Sequence, residues 1–67
     1  MTGYPVGTII QEYALVGDRK GWYPCDGREV PTELKTDELV MSILEKYGHR
    51  LPDLRPGKWF IYLGGHS

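Results

Sequence analysis

Apolar positions along the chain fall into four groups, separated by breaks rich in glycine and proline. In residues 6–14, Val6, Ile9, Ile10 and Tyr13 stand with Thr8. This β-branched and aromatic mix predicts a strand, although neither face alternates cleanly. Pro5 cannot donate to a ladder, which puts it at the strand start or on an edge. Gly17-Asp18-Arg19-Lys20-Gly21 reads as a polar loop. Residues 22–30 predict a hairpin, with Trp22, Tyr23 and Cys25 before Asp26-Gly27 and Arg28, Glu29 and Val30 after it. Asp-Gly suits a type I′ turn, which needs positive φ at both central positions. Pro24 has to lie on an edge or at a bulge.

Residues 31–35 form a connector. Beyond them the period changes to that of a helix. Leu39, Val40, Ile43, Leu44 and Tyr47 share one helical face. Thr36 is the expected N-cap, with Asp37 and Glu38 in the first turn, where the helix dipole favours negative charge. Lys46 falls in the last turn, and Gly48 stands where a left-handed C-terminal cap belongs. A helix of about three turns is marginal alone, so its apolar face must dock on a sheet. Residues 58–63, with Trp59, Phe60, Ile61, Tyr62 and Leu63, are the strongest strand candidate and end at Gly64-Gly65. The pattern predicts an α+β fold: one small domain over residues 1–67, with short antiparallel strands and a hairpin packed on one central helix. Its core spans about residues 5–63, and residues 1–4 and 64–67 are expected to be flexible.

Length and charge narrow the picture. A chain of 67 residues buries only about 60% of its unfolded surface, so association is the default support. One cysteine excludes an intrachain disulfide framework. Cys25, His49 and His66 lack the spacing of a zinc site, and no metal or cofactor is implied. Eight Lys and Arg against nine Asp and Glu give a net charge of −1, with no basic footprint for nucleic acid. No apolar run reaches bilayer length, and the first residues lack the charged and apolar regions of a signal peptide. A chain made in a reducing cytosol is expected.

Catalytic candidates are few. Cys25 as a nucleophile needs a base such as His49 or His66 within hydrogen-bond reach; the plainer reading is a small buried hydrophobe beside Trp22. Asp26 and Asp53 stand apart from solvated helix faces, at turns where aspartate bonds nearby backbone N–H groups. No glycine triplet forms a phosphate loop. Alternation puts Phe60 and Tyr62 on one face of the last strand and Trp59 and Ile61 on the other. If one set is core, the other is an exposed apolar stripe and a candidate interface or sugar platform.

Three blocks resemble the phage tail collar domain. Pro5-Val6-Gly7-Thr8-Ile9-Ile10 is similar to the family's opening Pro-x-Gly-x-Ile strand. Gly21-Trp22-Tyr23-Pro24-Cys25-Asp26-Gly27 is similar to its Gly-Trp-x-x-Cys-Asp-Gly block, and Leu51-Pro52-Asp53-Leu54-Arg55 to its Leu-Pro-Asp-Leu-Arg signature. The likeness runs from about residue 5 to residue 60. The chain departs from the family by a shortened segment between Gly48 and Leu51, by Pro56-Gly57-Lys58-Trp59-Phe60 where Gly-Arg-Phe is usual, and by the lack of a fibre shaft. The blocks read as scaffold, with Trp22 in the core, Asp26-Gly27 setting the hairpin register and Arg55 bridging segments. The resemblance implies a non-enzymatic virion structural protein on the tail, baseplate, fibre or capsid. Its partners would be other virion proteins or further copies of itself, a homo-trimer included, through an exposed strand edge and the stripe Trp59, Phe60 and Tyr62. The alternative it implies is recognition of a host-surface glycan at a fibre tip. A cysteine-dependent enzyme is the third reading.

Overall fold

The most continuous apolar stretch forms the centre of the fold rather than its rim. The structure, a computed structural model, describes residues 3–64. Strand β3 (Trp59–Tyr62) lies between β1 (Ile9–Gln11) and β2 (Trp22–Pro24) in an antiparallel sheet of order β1-β3-β2. Ile9 pairs with Ile61, and Tyr23 pairs with Ile61 from the other side. Both edges of β3 are therefore occupied, and the exposed edges of the sheet are those of β1 and β2. Pro24 lies in the edge strand β2, as its missing N–H requires. With one helix, α1 (Glu38–Leu44), the architecture is α+β.

The first strand is shorter than its composition predicts. Residues 12–14 leave the extended conformation for a single 3-10 turn. Before β1, the Thr8 N–H and hydroxyl both donate to Pro5 O, at 3.2 and 2.7 Å. The local turn takes the Thr8 N–H out of the ladder, and Gly7 N–H donates to Tyr62 O in its place, at 2.6 Å.

The predicted Trp22–Val30 hairpin does not form. Gly27 has φ of +81°, but Asp26 is not in the positive region, so the type I′ condition fails. The chain instead turns away at Asp26, and residues 25–29 pair with the 50–54 segment. Bridges join Asp26 to Asp53 and Glu29 to Arg50. Gly27 N–H donates to Pro52 O, Leu51 N–H to Arg28 O and Leu54 N–H to Cys25 O, all at 3.0–3.1 Å.

Helix α1 starts one residue later than expected. Asp37 is the N-cap, its Oδ1 accepting from Leu39 and Val40 N–H at 3.0 and 3.3 Å, whereas the Thr36 hydroxyl turns back to Glu33 O. The carboxylate is the better acceptor for exposed first-turn donors. A 3-10 turn (Glu45–Tyr47) continues the helix into Gly48, whose φ of +72° is the expected left-handed cap. Val40 and Leu44 are fully buried, but Leu39 is 58% exposed and drops out of the predicted face.

The core between helix and sheet gathers Cys25, Val30, Leu34, Val40, Leu44, Leu51, Ile61 and Leu63. Trp22 is also buried, at 5% exposure, but on the opposite face of the sheet and outside this cluster. It therefore does not sit beside Cys25. There Tyr4 meets Trp22 edge-on at 5.2 Å and Trp22 tilts against Tyr62 at 5.1 Å. Of the end segments 1–4 and 64–67, residues 1–2 and 65–67 lie outside the described residues, Tyr4 makes the ring contact with Trp22, and Gly64 N–H donates to Gly21 O. No helix among the described residues is long and apolar enough to cross a membrane.

Candidate functional site

The second and third sequence blocks meet. The Asp26–Asp53 bridge brings together Asp26-Gly27-Arg28 and Asp53-Leu54-Arg55, two units of one design. In each, the aspartate accepts the N–H of the arginine two residues on, at 3.2 Å. The arginine then closes a fork on the same carboxylate, through Nε at 3.0 Å and Nη2 at 2.8 Å in the first unit and at 2.9 and 2.8 Å in the second. Gly27 lies against this junction, where a Cβ would stand 3.3 Å from Asp53 Cβ. Arg50, the residue before the third block, donates Nε to Gly27 O at 3.1 Å.

These pairings set the charge states. The Arg55 fork and backbone N–H lower the Asp53 carboxyl to about 2. Arg28 lowers Asp26 in the same way. Neither carboxylate is poised to carry a proton near neutral pH. Arg55 hydrogen-bonds within its own unit rather than across segments, as the resemblance had led one to expect; it reaches Asp26 only through its field. The repeated Asp-x-Arg spacing was visible in the sequence and is the signal that would have named Arg28.

Cys25 is 2% exposed. Burial, helped by the Asp26 charge, pushes its thiol up to about 11, so it stays neutral and weakly nucleophilic. His49 is exposed beyond the helix end with φ of +60°, and no hydrogen bond joins it to Cys25. His66 lies outside the described residues. No group of three His, Cys, Asp or Glu among the described residues could hold a metal ion.

Most other block residues are fixed by close backbone approach or by burial. Gly7 (φ +97°) faces Ile43 of α1, where a Cβ would stand 3.3 Å from its side chain. Gly21 (φ +84°) lies under the Tyr62 ring, where a Cβ would come within 2.8 Å. Leu51 and Pro52 are buried, and Ile9 packs on the core cluster. Pro5 accepts the Thr8 bonds. Only Leu54, 37% exposed, points outward without a visible task.

The Trp59, Phe60 and Tyr62 stripe is half-buried rather than open. Arg19 lies over the Phe60 ring at 5.6 Å, Trp22 covers Tyr62, and Trp59 packs at the margin of the core. The large apolar side chains that stand furthest out are Tyr13 at 83%, Val16 at 70% and Leu39 at 58%. Beside Trp59 and Phe60, a shallow cleft of about 290 Å³ is walled by Pro24, Glu12, Arg55 and Lys58. Gly57 makes room for the Trp59 indole at its rim.

A scan against protein-family models gave no match to the chain. Searches of curated proteins and of solved structures also returned none.

Proposed function

We propose that the chain is a non-enzymatic bacteriophage virion protein of the tail-collar kind, assembling on a tail, baseplate, fibre or capsid through protein–protein contacts. The observation that carries this reading is the use made of the three blocks. Their glycines seat a helix, a tyrosine ring and a carboxylate, and backbone bonds from Gly27 N–H to Pro52 O and from Leu54 N–H to Cys25 O fasten the second block to the third. The residues that carry the resemblance build a scaffold. A buried neutral thiol and two carboxylates held by arginine forks supply neither nucleophile nor proton carrier. Mass spectrometry of purified phage particles tests the proposal: the chain is expected in them at structural stoichiometry, and its absence sinks the idea.

The cleft beside Trp59 favours one second reading, recognition of a host-surface glycan. It joins half-buried aromatic walls to charged side chains, the pairing that small-ligand sites use. Lys58 has no ion-pair partner among the described residues. Binding of the isolated protein to host envelope glycans, lost in Trp59→Ala with the fold retained, would move the assignment to this reading. No binding, with particles failing to assemble when the chain is absent, would return it to the structural role.

A further inference from the structure

We propose that β1 is an assembly edge and that its occupant is β1 of a second copy, giving a two-fold dimer rather than a trimer. The ladder bonds identify the edge. Tyr62 N–H donates to Thr8 O at 2.8 Å and Glu12 N–H to Lys58 O at 2.8 Å. In an antiparallel ladder, alternate residues bond inward, so Thr8, Ile10 and Glu12 face β3 while the backbone groups of Ile9 and Gln11 face out. No hydrogen bond among the described residues uses them.

The other edge is closed to this chemistry. Leu63 N–H donates to Gly21 O and Cys25 N–H to Trp59 O, so Gly21, Tyr23 and Cys25 face β3, and Trp22 and Pro24 face out. Trp22 N–H is already bonded to Arg19 O at 3.0 Å, and Pro24 has no N–H. The β2 edge thus has no free donor, a common way to blunt a sheet edge. A ring of copies joined head to tail would need β1 to pair with β2, and half its bonds would lack donors. Self-pairing of β1 meets no such obstacle and closes as a two-fold dimer.

Charge favours the same occupant. Antiparallel pairing about Ile10 sets Ile9 opposite Gln11 of the second copy and Thr8 opposite its Glu12, so no like charges face each other. Tyr13, the most exposed large apolar residue among those described, stands in the 3-10 turn that follows the strand. The proposal concerns the purified chain and does not depend on its being found in a virion.

Sedimentation from about 10 µM to about 1 mM covers the span in which weak dimers form. The mass is expected to rise from 7.7 kDa towards twice that value. Gln11 has φ of −75°, which proline adopts without strain. Gln11→Pro deletes one outward donor and no inward bond, so it is expected to stay folded by circular dichroism and monomeric, while Gln11→Ala still dimerises. Amide exchange on the unaltered chain gives a second reading, with Ile9 and Gln11 N–H becoming protected as concentration rises. A monomer throughout, a trimer, a dimer indifferent to Gln11→Pro, or Ile9 and Gln11 amides that exchange freely in the dimer would each overturn the proposal. Should Gln11→Pro unfold, the exchange result decides alone.

Discussion

Gly21 combines two demands that no other residue type meets. Its φ of +84° belongs to the left-handed region, and a Cβ there would enter the Tyr62 ring edge and come within 3.2 Å of Gly64 Cα. A side chain at positive φ costs of order 1–3 kcal/mol where the surroundings hold the conformation. Gly21→Ala should therefore lower stability by about that much, read as a drop in urea midpoint with an unchanged slope. The aspartates make a different residue-scale statement. Asp53 titrates at about 2 in the fold, held down first by the Arg55 side chain and then by its N–H, against about 3.9 for a free aspartate. A depressed folded pKa contributes stability that is complete above the unfolded value and is lost as pH falls through the folded one. Urea midpoints should hold steady down to about pH 4 and fall between about pH 4 and about pH 2. Asp53→Asn should flatten that fall, and an unchanged profile would remove the carboxylate from the account. The solvent-exposed Asp26–Arg28 and Asp53–Arg55 pairs act mainly as local geometry, because water screens exposed ion pairs.

The helix is short enough that its cap is a large share of its support. Asp37 satisfies two first-turn donors with one oxygen, and Asp37→Ala should cost about 1 kcal/mol, within the usual range of 0.5–2 kcal/mol. Thr36→Ala should cost little, and the two urea midpoints measured side by side decide between the residues. At this scale the sequence spoke clearly where one local signal dominated. The helix at Glu38–Leu44, its glycine cap at Gly48 and the strand at Trp59–Tyr62 follow from period, cap chemistry and β-branched or aromatic content. The Asp26-Gly27 hairpin failed because tertiary pairing outweighed a turn preference. Residues 50–54 offered the 25–29 segment a partner far along the chain, with Glu29 bridged to Arg50 and Asp26 to Asp53, and a type I′ turn would have required Asp26 in a conformation the fold does not give it. The centrality of β3 was illegible for the same reason, since strand order depends on contacts between β1, β2 and β3 that no window of sequence contains. At the site, the burial of Cys25 was legible from residue type, since free cysteine is commonly buried, but not from Trp22, which lies on the other face; the matched pair of Asp-x-Arg units gained meaning only when the Asp26–Asp53 bridge set them side by side.

The molecule as a whole covers its three-stranded sheet on both faces, which explains how so short a chain supports itself. The helix side holds the eight-residue core cluster. The other side is held by Trp22, with Tyr4 and Tyr62 against its ring. Edge-on and tilted aromatic pairs of this kind add about 0.5–1.5 kcal/mol beyond the area they bury. Truncating a buried tryptophan costs about 3–5 kcal/mol, and a domain of this size has little more than that in total. Trp22→Ala should therefore leave the chain largely unfolded at room temperature, with loss of near-ultraviolet dichroism, although it removes nothing from the main core. Trp22→Phe, which keeps a ring in place, should stay folded with reduced stability. The contrast belongs with Leu54, the block residue that stands half out of the surface. Surface truncations away from caps and cavities change stability by no more than about 0.5 kcal/mol, so Leu54→Ala should leave the urea midpoint almost unmoved. If the blocks are scaffold throughout, Leu54→Ala is also silent in particle assembly. If that variant folds normally yet fails to enter particles, the exposed end of the Leu51–Arg55 block is a contact surface, and the chain meets its neighbours there as well as along β1.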